Sequence, residues 1–118
     1  MEEAAMSTSE PFEVTPEALD VIAELLQRHP DLQAGLFLVP NLEVFDEKGA
    51  LEARFEKETF WMAYDSPEHF LNWPRVELCG RNIPIARDAL EILRGKTLTV
   101  EVSDVMFEGH KHLVASDH

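Results

Sequence analysis

Cysteine is nearly missing from this chain of 118 residues: Cys79 stands alone. A single cysteine closes no intramolecular disulfide and completes none of the multi-cysteine zinc motifs. An iron–sulfur cluster usually takes four thiolates, and even a homodimer of this chain would bring only two. Basic residues are scarce as well. Ten Lys and Arg face 23 Asp and Glu, a formal charge of −13, which leaves no cationic stripe to track phosphates and excludes nucleic acid as an expected partner. The acidic excess favours solubility and would attract a basic protein or divalent cations. No apolar run approaches the roughly 18 residues that a membrane span needs, so no membrane partner is expected. The opening Met1-Glu2-Glu3-Ala4-Ala5-Met6 is acidic and lacks the basic and apolar regions of a signal peptide, which makes the cytoplasm the expected address.

What is present reads as one domain. Residues 1–11 are polar, acidic and aperiodic, and are expected to form a disordered tail ahead of a single domain over 12–118. Phe12-Glu13-Val14 alternates as a short edge strand. Thr15-Pro16-Glu17 is a helix start: a capping hydroxyl, a proline where its missing N–H is harmless, and a carboxylate at the positive end of the dipole. Leu19, Ile22, Leu25 and Leu26 recur at helical spacing, and Pro30 stops a helix predicted over 16–28.

Gly35-Leu36-Phe37-Leu38-Val39 is a buried strand by length and composition. Leu42–Phe45 and Leu51–Phe55 flank Asp46-Glu47-Lys48-Gly49 as a hairpin, and Thr59–Tyr64 is an aromatic-rich strand. Ser66-Pro67-Glu68 starts one or two helical turns over Pro67–Trp73. Val76–Cys79 and Ile83–Ala86 read as strands joined by Gly80-Arg81-Asn82, followed by a short helix carrying Ala89, Leu90 and Leu93, and then two alternating strands. The expected fold class is α+β, a twisted, mainly antiparallel β assembly with one long helix and one or two short ones.

Three segments, in this order, resemble the HesB-like family, the A-type iron–sulfur cluster carriers. Val14-Thr15-Pro16-Glu17-Ala18 with Ile22 and Leu25-Leu26 is similar to the family's opening strand and helix. Gly35–Val39 is similar to its G-L-R-L-x-V strand. Ile83–Ala86 through Leu90, Leu93-Arg94-Gly95 and Leu98 resembles v-v-v-D-x-x-S-l-x-x-L-x-G-x-x-l-d, with Glu108-Gly109-His110-Lys111-His112 where members show E/G-G-F-x-F. The resemblance implies a HesB-like fold over most of residues 12–116. It also implies cluster ligands that this chain lacks: the loop Asn41–Ala50 has no cysteine, and Ala115-Ser116-Asp117-His118 stands in place of a C-G-C pair. Ala86 takes the place of the family's first aspartate. Without thiolates, cluster carriage does not transfer.

The expected function is therefore a non-enzymatic protein-interaction or regulatory module, with no resident cofactor and with a protein partner or a homodimer. Trp61, Tyr64, Phe70 and Trp73 are the candidate interaction surface, because aromatic side chains anchor interfaces; core packing is the competing use of the same residues. The alternative is a small metal-binding protein. His110 and His112, two apart on a strand, face one side, Glu108 falls on the same parity, and Asp117 or His118 adds a further donor. An enzyme built around Cys79 or the aromatic segment is the third reading, although no base is recognisable beside the thiol.

Overall fold

A computed structural model describes residues 11–117; the expected tail therefore lies, but for Pro11, outside the described residues, as does His118. The first strand, β1 (Glu13–Val14), leads through Thr15 into α1 (Pro16–Gln27). The Thr15 hydroxyl accepts the backbone N–H of Ala18 at 3.2 Å, the cap that the sequence announces. α1 turns Ala18, Ile22 and Leu26 inward, three positions that share one helical face.

The strands that follow are β2 (Gln33–Val39), β3 (Leu42–Phe45), β4 (Leu51–Phe55) and β5 (Thr59–Asp65). A short 3₁₀ helix (Pro67–Phe70) then precedes the hairpin of β6 (Arg75–Leu78) and β7 (Arg81–Pro84). The chain closes with α2 (Arg87–Leu93), β8 (Thr97–Ser103) and β9 (His110–Ser116). Five strands form one sheet in the order β1-β8-β9-β5-β2, antiparallel except for the β1–β8 pair. The class is α+β, with two separate two-stranded hairpins, β3–β4 and β6–β7, laid beside the main sheet.

Alternation along the strands sends side chains to two faces, and each face has its own apolar cluster. On one face Leu36, Phe60, Leu98 and Leu113 meet α1, α2 and the β6–β7 hairpin, with Ile22, Ile83, Ile85 and Leu93 essentially solvent-free. On the other, Val114 packs with Leu42 and Phe55 of the β3–β4 hairpin, joined by Val39, Trp61 and Val105. Thr59, fully buried at the head of β5, ties this second layer together. Its hydroxyl donates to the carbonyl of Val39 at 3.1 Å and accepts the indole N–H of Trp61 at 3.0 Å.

Two local expectations are corrected. The turn between β6 and β7 is Cys79-Gly80, because Leu78 pairs directly with Arg81. Both turn residues have positive φ, 54° and 72°, which is the backbone of a type I′ hairpin whose twist matches its flanking strands. Cys79 is thus an exposed turn residue and not the last residue of a half-buried strand. The helix expected over Pro67–Trp73 is a single 3₁₀ turn ending at Phe70. Among the described residues, no helix is long and apolar enough to cross a membrane.

Candidate functional site

The sheet is well paired almost everywhere. β2 and β5 match over seven residue pairs, and β8 and β9 over another seven. β5 and β9 are neighbours too, yet their ladder holds only Thr59↔Val114 and Phe60↔Leu113. Continued in register it would next pair Trp61 with His112; there the two strands part. A cleft of about 570 Å³ occupies the opening, within the range typical of small-ligand sites. The β5 wall carries Trp61, Met62 and Tyr64, and the β9 wall carries His110 and His112. Leu25 and Arg28 of α1 close one side, and Met106 and Phe107, from the loop between β8 and β9, form the lip.

His110 and His112 do share a face of β9, as their spacing requires, and their ring centroids are 4.3 Å apart. His112 is 2% exposed. Its ring stacks on Phe55 of β4 at 4.2 Å, and its Nε2 lies 2.7 Å from the Ser103 hydroxyl, which also accepts the backbone N–H of Val105. Desolvation, and after it the neighbouring His110, hold the His112 imidazole below the ordinary histidine pKa, against a weaker opposite pull from Glu101. His110 sits between rings, stacked on Phe107 at 4.3 Å and edge-on to Trp61 at 5.7 Å. The Nδ1 atoms of both histidines are buried without a hydrogen-bond partner. Unpartnered buried nitrogens are uncommon in folded proteins, and two adjacent ones mark this place out.

The other sequence candidates separate. Glu108 is exposed in the turn ahead of β9, and no group of three or more His, Cys, Asp or Glu side chains among the described residues is placed to hold a metal ion. Tyr64 and Trp61 line the cleft, half-buried. The Tyr64 hydroxyl donates to the carbonyl of Leu25 at 2.7 Å, tying β5 to α1, and burial raises its pKa. Phe70 does not belong to any surface: it is 3% exposed and lies over the backbone of Gly35. Trp73 packs edge-on against Phe70 at 4.9 Å, away from the cleft. The expected aromatic surface is therefore two pairs with two jobs.

Cys79 lies elsewhere, with its thiol 3.5 Å from the carbonyl of Leu19, and desolvation pushes its pKa up. That leaves it protonated and weakly nucleophilic at neutral pH. Sequence reasoning misses Met106 and Phe107, which are 48% and 61% exposed, and the α1 contribution of Arg28. Three consecutive apolar residues, Val105-Met106-Phe107, between the polar Ser103-Asp104 and Glu108-Gly109 are the signal that would have found the lip. Comparison with protein-family profiles, curated proteins and solved structures yields no match for this chain.

Proposed function

We propose that this chain is a non-enzymatic recognition module, related to the HesB-like carriers but without their cluster ligands, that receives a protein partner at the cleft between β5 and β9. The carrying observation is the parting of those strands after two residue pairs. The opening presents an aromatic wall beside an exposed apolar lip, and rigid aromatic anchors next to accessible apolar side chains are what protein interfaces are built from. The order of elements on either side of β5 and the 3₁₀ helix supports the HesB-like reading: a capped helix, a buried strand and a hairpin before them, and strand, turn, strand, short helix and two strands after them. Cys79 does not line the cleft, and desolvation pushes its thiol pKa up, which favours a binding role over catalysis.

The test is affinity capture from a cell extract with three tagged forms. Phe107→Ala removes an exposed lip residue and should leave the fold intact, whereas Leu71→Ala alters a residue 74% exposed that does not line the cleft. A partner retained by wild type and Leu71→Ala but lost by Phe107→Ala supports the reading; equal recovery by all three contradicts it.

A second reading, a small metal-binding protein, draws on the unpartnered Nδ1 atoms of His110 and His112. With two protein donors it needs two more from Glu108, from Asp117 or His118, or from water to complete a tetrahedral set. Elemental analysis of protein purified without chelator decides it: about one metal per chain, abolished in the His110→Ala, His112→Ala double variant, is the expected result under that reading.

A further inference from the structure

The hydrogen bonding of His112 indicates what chemistry the cleft takes. The Ser103 hydroxyl accepts from the Val105 N–H at 3.1 Å and is 2.7 Å from His112 Nε2. Among the described residues Nε2 is the protein acceptor within reach of the hydroxyl proton, and donation to it assigns the imidazole proton to Nδ1. Nδ1 of His112 is then a buried N–H donor without an acceptor, a costly state unless an occupant supplies one. With the proton on Nδ1, that atom has no lone pair for a metal ion, so this assignment and the metal reading exclude each other at His112.

Charge points the same way. The chain as a whole has more than twice as many acidic as basic residues, yet the charged residues that line the cleft are Arg28 and Lys111 against Glu24, which lies 3.8 Å from the Arg28 guanidinium. The remaining wall is apolar: Leu25, Phe60, Met62, Phe107 and Leu113 among others. With Arg28 and Glu24 facing each other, Lys111 gives the lining a net positive sign in a strongly acidic protein, which favours an anion there.

We infer that the cleft binds a small organic monocarboxylate with an apolar body, whose carboxylate accepts the Nδ1–H of His112 while its hydrocarbon lies along the β5 wall. The inference rests on the cleft being the recognition site and names a small ligand for its interior, besides the protein partner received at its lip. The His110 ring lies 4.3 Å from the His112 ring and is itself stacked on the exposed Phe107 ring. Rotation of His110 about its side-chain bonds opens the donor and brings a second imidazole to the same oxygen atoms. Lys111 favours the charge from an exposed position.

The experiment titrates the purified 118-residue chain with octanoate and, separately, with 1-octanol, following the ¹H–¹⁵N resonances of the Trp61 indole and of the amides of residues 109–112. Octanoate should produce saturable shifts at these positions and bind about tenfold or more tightly than 1-octanol, the ordinary worth of a hydrogen bond to a charged group. His112→Leu should abolish that preference. Lys111→Gln, at an exposed position that leaves the fold intact, should weaken octanoate by a few-fold and leave octanol unchanged. Equal binding of acid and alcohol, absence of saturation, or shifts centred elsewhere would overturn the inference, as would zinc ion shifting both histidines stoichiometrically. If octanoate fails while Phe107→Ala still loses its protein partner, only this inference falls; if both fail, the cleft is not the site.

Discussion

Replacing Gly35 by alanine tests the division of the aromatic segment between core and cleft. A Cβ built on Gly35 would lie 2.6 Å from Cε1, 3.0 Å from Cδ1 and 3.2 Å from Cζ of Phe70. The closest of these is about 1 Å inside ordinary carbon–carbon contact. The ring has little room to withdraw, because it is 3% exposed and Trp73 packs edge-on against it at 4.9 Å. Overpacking of this kind costs about 1–3 kcal/mol, and removing glycine's chain entropy from a strand returns about 0.5–1 kcal/mol. The net expectation is a loss of roughly 1–2 kcal/mol, or a drop in Tm of roughly 5–10 °C.

Urea and thermal unfolding monitored by circular dichroism read the loss directly. Phe70→Leu, destabilising by itself, should be tolerated much better in the Gly35→Ala background, with a coupling of about 1 kcal/mol or more. Gly35→Ala as stable as wild type, or strict additivity of the two substitutions, would show that Phe70 is not the fixed cover of β2 described above.

Two other outcomes follow from the same structure. Folding holds the His112 imidazole below its ordinary pKa of 6.5, so the unfolded chain binds more protons once the pH falls below that value. Stability should decline as the pH drops through 6.5 and level off below the depressed folded value, and His112→Leu should flatten that part of a urea-midpoint profile; an unchanged slope would assign it to a different group. At the β6–β7 turn, Cys79→Asn should raise stability by about 1 kcal/mol, because asparagine tolerates the positive φ of 54° that cysteine adopts at a cost. No gain in Tm would mean that the turn is relaxed as it stands.

Much of the fold is legible in the sequence where the signal is local. Thr15-Pro16-Glu17 places the start of α1 to the residue, since cap, proline and dipole agree within three positions. Asp46-Glu47-Lys48-Gly49 fixes the β3–β4 hairpin, and alternation over Leu98–Val102 fixes β8. The β6–β7 turn is misplaced by one residue because Cys79 has strand-like neighbours, and only register shows that it carries positive φ.

The site is less legible, for a physical reason. His110 and His112 share a face by simple periodicity, but their partners Phe55, Ser103 and Trp61 come from three other strands. The cleft itself results from where pairing stops between strands some fifty residues apart in the chain. Nothing in either strand's composition marks that endpoint. Burial likewise separates Phe70 from Trp61, two aromatic residues in one segment that composition treats alike.

The direct test of the cleft as recognition site is a ¹H–¹⁵N map of the labelled chain with and without the protein partner that affinity capture retains. The predicted result is a set of shifts concentrated at the Trp61 indole, Tyr64 and residues 106–112, with the β6–β7 turn at Cys79-Gly80 unchanged. Shifts centred on that turn or on the β3–β4 hairpin tip, with the cleft silent, would contradict it.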